Sequence, residues 1–135
     1  MLRIRKSFVI PDFKRLLLKY ANKSFVLGGV GFSGSVDDLQ LCIGSIARLD
    51  GAEQEFLSVC SLPVKAMNLY GLLGLKLVNS PHFSVQYDIL KSDKSKIDTW
   101  SGCCGYSTTV GNLAQEIFKS DVSWLLAEDL NEKDQ

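Results

Sequence analysis

From Pro11 onward, Phe13, Leu16, Leu17 and Tyr20 recur at the i, i+3, i+4, i+7 spacing of one helix face, while Lys14, Arg15 and Lys19 take the other side. The spacing predicts a first helix, with Pro11 in its opening turn, Leu18 widening the stripe, and Asn22 and Lys23 ending it. Phe25, Val26 and Leu27 read as a short strand running into a glycine-rich turn. Residues 39–49 and 52–62 flank Asp50-Gly51, a favoured two-residue turn, and predict an antiparallel hairpin. On its first arm Leu39, Leu41 and Ile43 share a face; on its second, Leu57 and Val59 alternate with Ser58 and Cys60.

Pro63 opens a second predicted helix, in which Ala66, Leu69, Tyr70, Leu73 and Leu77 form one stripe and Leu72, Leu75 and Val78 add apolar cover elsewhere. Gly71 and Gly74 each lower helix propensity by up to ~1 kcal/mol relative to alanine, which makes sense where a neighbouring backbone comes close. A helix with so little polar surface predicts a dimer interface, the alternative being a central core helix in a monomer. Beyond Asn79-Ser80-Pro81, Phe83, Val85, Tyr87 and Ile89 alternate with Ser84, Gln86 and Asp88, a half-buried strand pattern. A polar linker over 91–96 leads to a fifth strand over 97–101. Val110, Leu113, Ala114 and Ile117 then keep helical spacing, and Trp124 and Leu125 continue the stripe past an interruption at Ser120-Asp121. Residues 121–135 read as a separate helix and a frayed tail. The expected fold is α+β, in the order helix, three strands, helix, two strands, helix, with a mainly antiparallel sheet packed by helices.

Composition narrows the class. A chain of 135 residues, 46% apolar, is one domain's worth, read here as a single domain over 1–135 with a flexible start (1–10) and an acidic tail (128–135). The longest apolar run, 72–78, is broken by Gly74 and Lys76 and falls far short of the ~18 residues of a membrane span, so no membrane insertion is expected. Arg3, Arg5 and Lys6 precede an apolar run that Pro11 cuts short, unlike a signal peptide, which suggests a cytoplasmic protein. Cys42, Cys60, Cys103 and Cys104 form no C-x-x-C pair and read as free thiols. The formal net charge is zero, with a basic first segment and an acidic end.

The candidate chemistry is sparse. Gly29-Val30-Gly31-Phe32-Ser33-Gly34 matches a dinucleotide fingerprint, but the helix it requires would cover residues that alternate like a strand, and Asp37-Asp38 would repel phosphate. A flexible loop explains it better. Cys104, within Trp100-Ser101-Gly102-Cys103-Cys104-Gly105, precedes a helix whose amino terminus could lower a thiol pKa. That string resembles the cysteine-glycine loops of the diaminopimelate epimerase superfamily, over those residues alone. His82 is the only histidine, so a triad lacks partners, and the cysteine spacing does not suit zinc. The charge balance and the lack of a recognition motif argue against nucleic acid. No catalytic residue, metal or cofactor is expected.

The order of elements resembles that of class I type III secretion chaperones, the family that includes the Tir chaperone. The resemblance is strongest over 69–90, a leucine-rich helix with Leu72-Leu73 and Asn79 followed by a strand, and over 97–126, a strand, a glycine-containing turn and an amphipathic helix with Trp124. It implies a bacterial cytoplasmic homodimer that binds the amino-terminal segment of a secreted effector protein and keeps it competent for export. Leu69, Leu72, Leu73 and Leu75 would then lie at the dimer interface, and Phe13, Leu16, Leu17, Leu18, Phe25 and Val26 would meet the effector. The competing expectation is a toxin-neutralising immunity protein, with Asp37-Asp38 or the tail facing a basic toxin. A small enzyme using Cys104 is a third.

Overall fold

A computed structural model of the chain describes residue 25, residues 43–101 and residues 104–122. Within them a helical stretch, 43–46, turns through Asp50-Gly51 into α1 (Ala52–Cys60). Then follow α2 (Lys65–Leu77), α3 (Phe83–Leu90), β1 (Lys96–Ser101), β2 (Cys104–Thr109) and α4 (Val110–Lys119). The class is α+β, and the described sheet is a two-stranded antiparallel hairpin in which Ile97 faces Thr108 and Thr99 faces Tyr106.

Two sequence expectations are corrected. The hairpin over 39–62 is, from residue 43, a pair of helical segments. Asp50-Gly51 does turn the chain, with Gly51 at φ 84°, but a left-handed glycine joins two helices as readily as two strands. The residues that α1 buries, Ala52, Glu55, Phe56 and Val59, follow helical spacing. The strand over 83–89 is also a helix. Phe83, Tyr87 and Leu90 stand at i, i+4 and i+7, a helical face hidden inside the alternation, and only Leu90 is fully buried. Of the predicted strands, that over 97–101 is present, paired with β2. The predicted helix over 110–117 is α4, and Ser120 interrupts it. The first helix, the glycine loop and the segment beyond Val122 lie outside the described residues.

The core is built around α2, which buries Ala66, Met67, Asn68, Leu69, Tyr70, Gly71, Leu72, Leu73, Gly74, Leu75 and Leu77. Its glycines mark the closest approach. A Cβ on Gly74 would stand 2.3 Å from the Phe56 ring, and one on Gly71 would stand 2.9 Å from the Phe56 carbonyl oxygen. The neighbouring backbone that the sequence anticipated is therefore α1 of the same chain. Two polar side chains of α2 close other helices. Asn68 Nδ2 donates to the carbonyls of Val59, Cys60 and Leu62 at 3.1, 2.9 and 2.8 Å, satisfying the end of α1. Lys76 Nζ donates to Ile117 O at 2.6 Å, to Phe118 O at 2.8 Å and to Ser120 O, closing α4.

The stop of α2 places α3. Asn79 is left-handed at φ 55°, Ser80 N–H donates to Leu75 O at 3.0 Å and Asn79 N–H to Lys76 O at 3.1 Å, the paired bonds of a Schellman ending. The Ser80 hydroxyl then donates to the Glu53 carboxylate and accepts the His82 N–H, tying the turn to α1. A helix starting at Phe83 is thus aimed across the end of α4.

Candidate protein-binding surface

α3 carries apolar residues on two sides. At 3.6 residues per turn, Val85 and Ile89 project roughly opposite to Phe83 and Tyr87. The inner side meets α4: the Phe83, Tyr87 and Phe118 rings lie nearly parallel, with Tyr87 and Phe118 centroids 4.6 Å apart at 10°. The outer side meets water. Val85 is 56% and Ile89 64% exposed, and Phe118, at the outside of the ring stack, is 53% exposed. These three and Tyr106 are the exposed large apolar residues among those described.

Beside the rings lies a recess of about 240 Å³ lined by Leu75, Lys76, Asn79, Ser80, Phe83 and Phe118. Lys76 brings no free ammonium to it, because three carbonyls take its three protons; desolvation lowers its pKa and Asp121 opposes that. Leu75, Phe83 and Phe118 give the recess apolar walls and the Lys76 donors are already taken by carbonyls, so it suits an apolar side chain. Along the outer edge of α3, Lys91 pairs with Asp88 at 3.1 Å and stands 5.8 Å from the Tyr87 ring centroid.

A larger open depression, about 550 Å³, lies at the start of α4 among Lys91, Asp93, Lys94, Lys96, Thr109 and Asn112. A helix amino terminus among lysines has the chemistry of an anion site, but here the chain consumes the donors itself. Val110 N–H donates to Ser95 O at 2.9 Å, Gly111 N–H to Asp93 O at 2.8 Å, and Asn112 N–H to Thr109 Oγ1 at 3.1 Å. Asp93 also holds Lys65 at 2.6 Å and the Ser95 N–H at 2.8 Å, and these partners lower its carboxyl pKa to about 2. The depression is a structural joint between the hairpin, α2 and α4.

Reactive chemistry is weak among the described residues. No group of three histidine, cysteine or acidic side chains there could hold a metal. Desolvation pushes the Cys60 thiol up to about 12, away from a nucleophile's range. His82 sits exposed at the start of α3. No described helix is long and apolar enough to cross a membrane.

The structure separates the residues singled out from sequence. Leu69, Leu72, Leu73 and Leu75 are all fully buried within the single chain. Phe25 is fully buried too, its ring 4.6 Å from that of Tyr70 and its N–H donating to Asp98 O at 3.1 Å. Phe13, Leu16, Leu17, Leu18 and Val26 lie outside the described residues, as do Asp37-Asp38. Sequence reasoning passed over Val85, Ile89 and Phe118 as contact residues. The signal available was the helical spacing of Phe83, Tyr87 and Leu90, which leaves the other two apolar residues of that segment facing outward. A scan of protein-family models gives no match, and a search of curated proteins finds none with significant similarity.

Proposed function

We propose that this chain is a protein-binding domain that performs no catalysis, and that the outer face of α3 together with Phe118 meets its partner. The observation that carries this reading is the exposure of Val85 and Ile89 one helical turn apart, on a helix whose other side is anchored by stacked rings. Apolar and aromatic anchors on a rigid element are the usual centres of binding energy. The narrower form is a bacterial cytoplasmic secretion chaperone, homodimeric and holding a secreted effector's amino-terminal segment. Its support is the retained order of α2, the β1 strand and α4; the helices found over 52–60 and 83–90 remove the strands on which the rest of that resemblance stood. A dimer would have to use surfaces other than the four buried leucines of α2.

Copurification from the native host tests the reading. The wild-type chain should retain a partner that the Val85→Lys, Ile89→Lys double variant loses while its unfolding midpoint is unchanged. A secreted protein's amino-terminal segment as that partner supports the chaperone, and a toxin domain supports the immunity protein. Equal retention by the folded double variant overturns α3 as the contact surface.

A further inference from the structure

The two outer edges of the β1–β2 hairpin are used differently. On the β1 side, Phe25 N–H donates to the Asp98 carbonyl, which fixes how the hairpin's main chain is oriented. Facing residues of an antiparallel pair either exchange both hydrogen bonds or turn both sets of groups outward. Asp98 turns its carbonyl outward, so its partner Ser107 directs its own N–H and C=O to the free side of β2. Alternation along the strand gives Gly105, which faces Trp100, the same orientation. Gly105, Tyr106 and Ser107 are exposed, and among the described residues no backbone group outside the hairpin bonds to them.

Tyr106 adds an independent observation. It faces Thr99, and cross-strand partners share one side of a sheet, yet Thr99 is 3% exposed and Tyr106 53%. The side that is covered beneath β1 is open beneath β2. A strand added there would set one of its side chains against the tyrosine, in the pairing that brings side chains closest.

We propose that the free edge of β2 receives an extended, uncharged segment of a partner protein as a third strand, bonded to the main chain of Gly105 and Ser107 and placing an apolar side chain beside Tyr106. Charge selects that occupant: β2 holds no charged residue and no proline, the features that ordinarily repel an incoming strand, and an uncharged edge gives a charged segment nothing to pair with. Area argues against a second copy. A strand about 20 Å long meeting its twin edge to edge covers on the order of a few hundred Å², well under the ~800 Å² per partner of a stable interface. The site is separate from α3, so substitutions at Val85 and Ile89 leave it intact.

The test is amide exchange by NMR on the full-length chain, with acetyl-Thr-Val-Thr-Val-Thr-amide as probe and acetyl-Pro-Val-Pro-Val-Pro-amide, which keeps the valines for Tyr106 but lacks the N–H groups that would face Gly105 and Ser107, as control. Millimolar probe should slow exchange at Gly105 and Ser107 by about tenfold, and the control should not. Ser107→Pro, which removes only an outward N–H, should abolish the slowing at Gly105 with little change in unfolding midpoint. Should that variant unfold, Tyr106→Ala, at an exposed side chain, should weaken the protection instead. No slowing with the probe, or equal slowing with the proline control, overturns the proposal. Protection of Gly105 and Ser107 that appears without peptide and tracks a doubling of mass in sedimentation overturns it in favour of a second copy.

Discussion

α2 and α3 are both rich in apolar residues, and they have opposite fates. α2 buries its leucines on every side, admits α1 through two glycines, and uses its polar side chains Asn68 and Lys76 to close two other helices. α3 buries only Leu90 and leaves Val85 and Ile89 in water. Apolar content by itself therefore does not identify an interface; what matters is whether the chain supplies its own cover. In α2 it does, and the glycines are the sign. In α3 it does not, and the residues left over are candidates for contact with another protein.

Four measurements would sharpen or break this contrast. The largest effect belongs to α2: Leu72→Ala should cost about 3 kcal/mol in urea unfolding, while Ile89→Ala should stay within about 0.5 kcal/mol. Comparable losses at both positions would erase the distinction. Gly74→Ala comes next. Its helix-propensity gain of up to ~1 kcal/mol should be outweighed by overlap with Phe56, leaving a net loss of about 1–2 kcal/mol; a stabilised variant would show that α1 and α2 are not in close contact there.

Lys76→Met removes the donor shared by three carbonyls while keeping the length of the aliphatic stem. It should cost about 1–2 kcal/mol and speed amide exchange in the last turn of α4, with loosening of the Phe118 ring against Tyr87 visible in near-ultraviolet dichroism. Unchanged exchange in that turn would mean the ammonium is not its cap. The smallest effect is at Asp93. Because its folded pKa is depressed to about 2, its contribution is complete above the ordinary carboxylate pKa and is lost as the pH falls toward 2. Asp93→Asn should cost about 1 kcal/mol at neutral pH and flatten that part of the acid-unfolding profile. Identical acid profiles for both proteins would remove the Lys65–Asp93 pair from the account.

α2, the strand before the hairpin turn and α4 could be read from sequence because their local signals agree with their surroundings: long apolar stripes in the two helices, and a polar linker that sets off the short run over 97–101. Two other segments misled because the same residues satisfy two periods. Asp50-Gly51 fits a hairpin, but its left-handed glycine serves a helix junction equally well, and the buried positions Ala52, Phe56 and Val59 decide the matter only once a core exists around them. In 83–90 the alternation is real in sequence and half of it faces solvent. Neither Asn68 nor Lys76 announces its role locally; each serves carbonyls that the fold brings to it, for Lys76 from residues more than forty positions away. The surface of α3 could be recognised only by subtraction, after the core had claimed its residues.

We propose that α3, and not α2, faces the partner. Site-specific photo-crosslinking in the native host tests it most directly, with the crosslinker at positions 85 and 89 and, as a control, at exposed Gln54 on α1. Positions 85 and 89 should give one discrete crosslinked species and position 54 none. The same species from all three positions, or none from 85 and 89 while the partner still copurifies, would contradict it.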